Sequence, residues 1–444
     1  MDARLRALVL CGVNGAAGLA TWFLSGYSWS ALVPLATGLV VAILVSWILQ
    51  NFTVAGRLLV ASVVLLTLVG VAWGTWFIAT LPISTLTRTL MFAGIPLLII
   101  FLPSKLILTL EDWEVLCRKN WLRPREPLPV TPRDRYPKVS LHVPAYSEPP
   151  EIVIETLNVL SRLRYPNFEV LVIDNNTKDP SLWQPVEAHC RRLGERFRFF
   201  HLEQWPGAKA GALNFALGQT APDAEVVGVI DADYHAEPDF LSALVGHFDD
   251  PRIGFVQSPH DYRGWKESLY QRMCYWEYKI FYWTTMVSYN ERDAALTVGT
   301  MCLIRRAALE EAGGWAEWCV TEDSELAIRI HALGYSSVYV TKTFGRGLIS
   351  ETFSGYKRQH FRWTYGPVQE LKRHYRLSLP RPWGRPSSLS VAQKVDHLNH
   401  GLDRANGGLS FLLMPLGVAS PPLWWLTRKR SPYHPCYGWP GAWS

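Results

Sequence analysis

Val226-Val-Gly-Val-Ile-Asp-Ala-Asp233 runs from an uninterrupted apolar segment straight into two carboxylates. A short apolar run rich in β-branched residues and closed by polar ones reads as a strand buried on both faces. Such strands belong to parallel sheets covered by helices. The preceding residues repeat the pattern: strands at Val139–Val143, Phe168–Ile173 and Phe197–His201 alternate with helices at Glu151–Leu163, Leu182–Leu193 and Ala208–Leu217. This alternation predicts an α/β, Rossmann-like domain with a mostly parallel sheet. Ligands of such sheets bind beyond the carboxyl ends of the strands.

Those ends carry chemistry. Pro144-Ala-Tyr-Ser-Glu-Pro-Pro150 follows the first strand, Asp174-Asn-Asn-Thr177 the second, and Asp231-Ala-Asp233 the Val226–Ile230 strand. Two carboxylates one residue apart suit a divalent cation that offsets the charge of a diphosphate. A solvated turn is the bland alternative, and the position of the pair, after a buried strand and in line with Asp174, favours the metal. No Gly-x-x-x-x-Gly-Lys-Ser/Thr loop is present, and no Gly-x-Gly-x-x-Gly follows the first strand, which disfavours P-loop and dinucleotide chemistry.

Further on, Trp318-Cys-Val-Thr-Glu-Asp323 precedes an apolar helix at Ser324–Leu333. Asp323 there reads either as a helix cap or as a general base. In Gln359-His-Phe-Arg-Trp363, the i, i+3, i+4 spacing puts Gln359, Arg362 and Trp363 on one helical face. An amide, a guanidinium and an indole make a poor core stripe but suit phosphate and sugar. Aromatics crowd between Tyr262 and Tyr289; packing, a membrane interface and a sugar path all explain them. His397 and His400 lack a third ligand and read as structural.

The chain has 444 residues, 49% hydrophobic and only 18% charged, with 20 Trp. Disorder and collagen-like structure are excluded. The seven Cys are scattered and never form C-x-x-C, so neither a zinc site nor a disulfide framework is expected. The net charge of +6 comes from basic residues mixed with carboxylates, a pattern for anionic lipid and phosphate-bearing substrates rather than nucleic acid.

Residues 1–110 read as a membrane module, with apolar stretches at 7–24, 31–50, 58–80 and 89–110. Arg4, Arg6, Arg57, Arg118 and Lys119 fall on one side and Arg88 on the other, which places the polar domain in the cytoplasm of a multi-pass protein. Residues 111–137 read as an interfacial helix and a Pro-rich linker, 138–375 as the α/β domain, and 376–444 as an interfacial segment with one further span at 407–427.

Val-Pro-Ala-Tyr-Ser-Glu at 143–148, Asp174, Lys209-Ala-Gly211, Asp231-Ala-Asp233, Thr321-Glu-Asp323 and Gln359-x-x-Arg-Trp363 occur in the order found in family 2 glycosyltransferases. Over 138–375 the chain resembles the membrane-integrated, cellulose synthase-like and bacterial β-glucan synthase group. The resemblance implies a GT-A-type domain that transfers glucose from UDP-glucose with inversion to a growing β-glucan at the cytoplasmic membrane face, β-1,3 being favoured over β-1,4. It assigns donor contacts to Tyr146, Glu148, Asp174, Lys209, Asp231, Gln359 and Arg362, and Mg2+ or Mn2+ to Asp231 and Asp233. Asp323 would be the base, with Glu322 and Trp363 on the acceptor. The implied partners are a UDP-sugar, a glycan or lipid-linked acceptor and membrane lipids; no protein partner is named.

Two features depart from the group. Tyr234 follows the acidic pair where cellulose synthases commonly have His, and relatives continue into several further membrane helices. Here the last residues, from Arg428, have no helical period, which fits a truncated or altered frame. A non-processive transferase acting on a lipid and a non-catalytic sugar-nucleotide sensor are the competing functions.

Overall fold

The structure is a computed structural model that describes residues 32–93, 106–107, 109–130, 136–380 and 382–408. The described residues divide into two compact units. One holds 32–50, 57–93, 106 and 406–408, and the other 51–56 together with the described part of 107–405.

In the first unit, helices run over Leu32–Ile48, Val54–Thr80 and Thr85–Ala93. Val54–Thr80 is, among the described residues, the one helix long and apolar enough to cross a membrane. Its 27 residues span about 40 Å at the α-helical rise. Leu66, Leu68, Val71, Trp73, Trp76 and Phe77 stand exposed along it. Arg57 donates from Nε to the Leu49 carbonyl at 2.8 Å, satisfying a carbonyl left open where the preceding helix ends. The spans expected at 7–24 and over most of 407–427 lie outside the described residues. The 89–110 stretch is described only at its two ends.

The second unit is built on a seven-stranded sheet. The strands are β1 (Lys138–Ala145), β2 (Phe168–Asn175), β3 (Phe197–Leu202), β4 (Ala224–Val229), β5 (His235–Ala236), β6 (Ile253–Gln257), β7 (Tyr262–Arg263), β8 (Cys302–Arg305), β9 (Ser336–Tyr339) and β10 (Gly345–Leu348). The large sheet has the order β3-β2-β1-β4-β8-β6-β9, and β5-β10-β7 form a small second sheet. β8 alone runs antiparallel within the large sheet, against β4 on one side and β6 on the other. The sheet is therefore mostly parallel, as the strand–helix alternation predicts, with one reversed strand that is too short to be legible in the sequence.

Successive side chains on a strand face opposite ways, and both faces are packed. Val226 joins Val139, Leu141, Val143, Val153 and Leu157 in one core layer, which the helix Pro150–Leu160 covers. Val227 and Val229 face the other layer, with Leu213, Leu309, Leu326 and Ile330 from the helices Ala208–Gln219, Arg306–Glu311 and Glu322–Leu333. The segment read as a Pro-rich linker is hydrogen-bonded to this unit: the Leu122 N–H donates to Glu291 Oε1 at 2.9 Å and the Val130 N–H to the Ser242 carbonyl at 2.9 Å.

Candidate active site

Strand register assembles the site. β1 and β2 pair with Ala145 opposite Asp174, and β1 and β4 with His142 opposite Val229. The 144–150 loop, Asp174 and Asp231–Asp233 therefore leave the sheet side by side. Because β8 runs backwards, its first residue Cys302 lies opposite Val229, which brings residues 299–301 to the same edge. There the Asp231 N–H donates to Thr300 Oγ1 at 3.0 Å.

A single ammonium ties the acids together. Lys209 donates to Asp231 Oδ1 at 2.5 Å and to the Gly299 carbonyl at 2.9 Å. Gly299 has φ +82°, and a Cβ on it would lie 2.8 Å from Asp323 Oδ2 and 3.5 Å from Lys209 Nζ. Its missing side chain makes room for the Asp323 carboxylate. Burial works against the charge on Lys209, yet Asp231, Glu322 and Asp323 hold its pKa above the usual lysine value.

Thr321 holds the N-cap position of the helix Glu322–Leu333 without a side-chain cap bond, and Asp323 stands in its first turn. Its Oδ1 accepts from the Ser324 N–H at 2.9 Å, and its carbonyl accepts from Thr297 Oγ1 at 2.5 Å. Burial raises the Asp323 pKa against the pull of Lys209. Burial and the Asp323 charge push Glu322 up to about 7. Asp233 accepts from the Leu348 N–H at 2.9 Å; its pKa is raised by burial and by Asp231. Glu148 is raised too, by burial first and then by Asp233 and Asp231. Glu148, Asp231 and Asp233 thus repel one another, and a divalent cation would relieve that repulsion. Among the described residues no three His, Cys, Asp or Glu side chains form a metal cage. The fit is to an ion such as Mg2+ or Mn2+, held by one or two carboxylates and completed by substrate phosphate and water.

Asp174 is buried and already engaged. Its Oδ1 accepts from Thr177 Oγ1 at 2.6 Å, and its Oδ2 lies 2.7 Å from His201 Nδ1. Trp183 stacks on the His201 ring with centroids 4.2 Å apart. The Ser147 N–H donates to Thr177 Oγ1 at 2.8 Å, so the loop carrying Tyr146 is anchored beside Asp174 while Tyr146 itself is 65% exposed. Sequence reasoning missed His201. The signal was there in outline, because His201 closes the next strand and pairs in register with Asp174.

Gln359, Arg362 and Trp363 lie on the helix Phe353–Ser378. Gln359 Oε1 accepts from the Tyr278 hydroxyl at 2.9 Å, and Trp363 meets the Tyr278 ring edge-on at 5.2 Å. Arg362 is exposed, without an ion pair among the described residues. Among the described residues none of the three is hydrogen-bonded or ion-paired to these acids. The link runs from Trp363 and Tyr278 to Tyr262, whose strand β7 pairs with β10, and Leu348 of β10 binds Asp233. Within the aromatic run, Tyr275, Tyr278, Tyr282 and Tyr289 are buried packing residues, whereas Trp276 and Trp283 are exposed. Tyr234 is turned into the core, its hydroxyl donating to the Asp261 carbonyl at 3.2 Å. His397 is buried and lies 3.0 Å from His331, ring nitrogen to ring nitrogen.

The family model described as glycosyltransferase-like family 2 matches residues 137–366. The chain is 28% identical over 379 residues to the cellulose synthase catalytic subunit (UDP-forming) of Pseudomonas fluorescens, across 82% of this chain and 48% of that one. It is 29% identical over 252 residues to glucomannan 4-beta-mannosyltransferase 1 of Cyamopsis tetragonoloba, across 54% of this chain and 47% of the relative. The chain thus spans about half the length of these curated relatives. Among solved structures, the mannosyltransferase PcManGT from Pyrobaculum calidifontis, in complex with GDP-Man and Mn2+, aligns with a TM-score of 0.50 at 20% identity. That alignment covers 75% of this chain and 93% of the other, and it shows a shared fold.

Proposed function

The chain belongs to glycosyltransferase-like family 2, in its cellulose synthase-like group, and from that premise we propose a metal-dependent, inverting hexosyltransferase that extends a β-glycan from a nucleoside-diphosphate sugar. One observation carries this reading. Asp231 and the Thr321–Asp323 turn, some ninety positions apart in sequence, meet around Lys209 at the mouth of the sheet.

In this reading Asp323 takes the proton from an acceptor hydroxyl, whose oxygen attacks the anomeric carbon as the bond to the diphosphate breaks. Attack from the face opposite the leaving group turns an α-linked donor into a β-linkage. Mg2+ or Mn2+ bound by Asp231 and Asp233 would supply positive charge for the departing diphosphate. Lys209 adds a second cation beside Asp231, and the exposed guanidinium of Arg362 is available for phosphate. Tyr146 and Asp174 would hold the nucleoside, Glu148 and Gln359 the rest of the donor, and Glu322 and Trp363 the acceptor's terminal sugar.

UDP-glucose is the proposed donor and β-1,3 the proposed linkage, with β-1,4 the alternative. A mannosyl donor is the second reading, favoured by the mannosyltransferases among the curated relatives. The proposed location is the cytoplasmic face of a bacterial-type inner membrane. The apolar Val54–Thr80 helix supports it, as do Leu269, Met273, Trp276, Ile280 and Trp283, exposed at 3–4-residue spacing along one helical run of the second unit.

The test is to incubate membranes containing the full chain with labelled UDP-glucose or GDP-mannose and Mg2+ or Mn2+. Linkage-specific glucanases and mannanases then digest the product. A β-glucan that resists organic extraction supports the first reading, and label in mannan the second. A chloroform-soluble glycolipid indicates a lipid acceptor, and intact donor throughout leaves a sensor.

A further inference from the structure

The second half of the helix Phe353–Ser378 makes contacts that the roles of Gln359, Arg362 and Trp363 do not explain. At Gly366 the helix lies tight against the Thr321 turn: a Cβ there would sit 1.9 Å from Thr321 Oγ1. Gln369 then holds the backbone on both sides, its Oε1 accepting from the Val320 N–H at 3.1 Å and its Nε2 donating to the Trp318 carbonyl at 3.2 Å. Glu370 is buried, and its Oε1 accepts from Thr321 Oγ1 at 2.8 Å and from Ser324 Oγ at 2.5 Å. One turn later, His374 Nε2 lies 2.7 Å from Glu325 Oε1. The spacing 366, 369, 370, 374 forms one helical face, and that face is fitted to residues 318–325.

A buried carboxyl group gripped by two hydroxyls is a poor way to gain stability, since apolar side chains of similar volume would do as well. What it supplies is direction. Thr321 and Ser324 bracket Asp323, so the two bonds to Glu370 fix the turn on which the Asp323 carboxylate is carried.

We infer that Gln369 and Glu370 are positioning residues for Asp323, locking its turn to the helix that carries Gln359, Arg362 and Trp363. The inference rests on the reading of Asp323 as base. Base and acceptor platform then move as one body, and a small misplacement of a reacting group is costly in rate.

The experiment uses the full chain in detergent or membranes. UDP release is measured against donor concentration for the wild type, D323N, E370A, E370Q, Q369A, S324A and E370A/S324A, with UDP affinity measured separately. E370A should lower kcat by about tenfold to a hundredfold while donor KM and UDP affinity stay within about twofold. E370Q, whose amide oxygen can accept both hydroxyl bonds, should recover most of the loss. E370A/S324A should be no worse than E370A, since both remove one interaction. Wild-type kcat in both E370A and Q369A, with D323N inactive, overturns the positioning role. So does an E370A variant that loses UDP affinity in step with turnover. D323N with full turnover refutes instead the reading of Asp323 as base.

Discussion

Lys209 Nζ stands 2.5 Å from Asp231 Oδ1, so a carboxylate proposed to hold a metal already carries a cation. The same ammonium reaches the Gly299 carbonyl, beside Asp323. Lys209 is thus shared between the proposed metal site and the proposed base, and its charge would compete with that of a metal held at Asp231.

That competition has a measurable sign. K209M removes a like charge from beside the metal, worth on the order of a kcal/mol or more in a partly buried site. The half-saturating Mn2+ concentration for UDP release should fall by about fivefold or more, even as kcat falls. An unchanged or raised metal requirement would show that Lys209 does not share the site.

The pH profile tests the base. Burial raises the Asp323 pKa, and burial with the Asp323 charge raises Glu322 to about 7. A base works ionised, so turnover should be low in acid and rise with pH through a window set by this pair, above the ordinary carboxylate range. E322Q deletes one of the two like charges, which makes Asp323 easier to ionise. The acid limb should then move to lower pH; a shift upward, or none, contradicts the coupling.

His201 should act on donor binding rather than on chemistry. It lies 2.7 Å from Asp174 Oδ2 under a stacked Trp183. H201A should raise donor KM by about threefold to tenfold with kcat nearly constant, the signature of a contact made equally in ground and transition states. A fall in kcat at constant KM would detach Asp174 from the donor.

Gly366 gives an inverted helix-propensity test. In an open helix interior, Gly to Ala stabilises by about 0.5–1 kcal/mol. Here the added Cβ would fall 1.9 Å from Thr321 Oγ1. Overpacking of this kind costs about 1–3 kcal/mol, so G366A should melt lower than the wild type. A higher melting temperature would mean that the helix and the Thr321 turn are not in contact.

The strands and helices of the α/β body were legible because period-2 and period-3.6 patterns are local. The acids were legible because carboxylates at strand ends are unusual in a buried apolar context. β8 was not: Cys302–Arg305 is four residues long, and nothing in them distinguishes an antiparallel neighbour from a parallel one. Yet that reversal brings Gly299 and Thr300 to Asp231. Glu370 was equally hidden, because it lies 46 positions from Ser324 and its bond to that residue has no periodic signature.

Hydrophobic pattern and turn residues along the chain therefore determined which strand ends present acidic side chains, since both are local features of the sequence. Which of those side chains meet was decided only by the tertiary structure. Lys209 chooses Asp231, and Glu370 chooses the Thr321–Ser324 turn, because sheet register and helix packing bring distant backbone within hydrogen-bond distance; no local energy term encodes that choice.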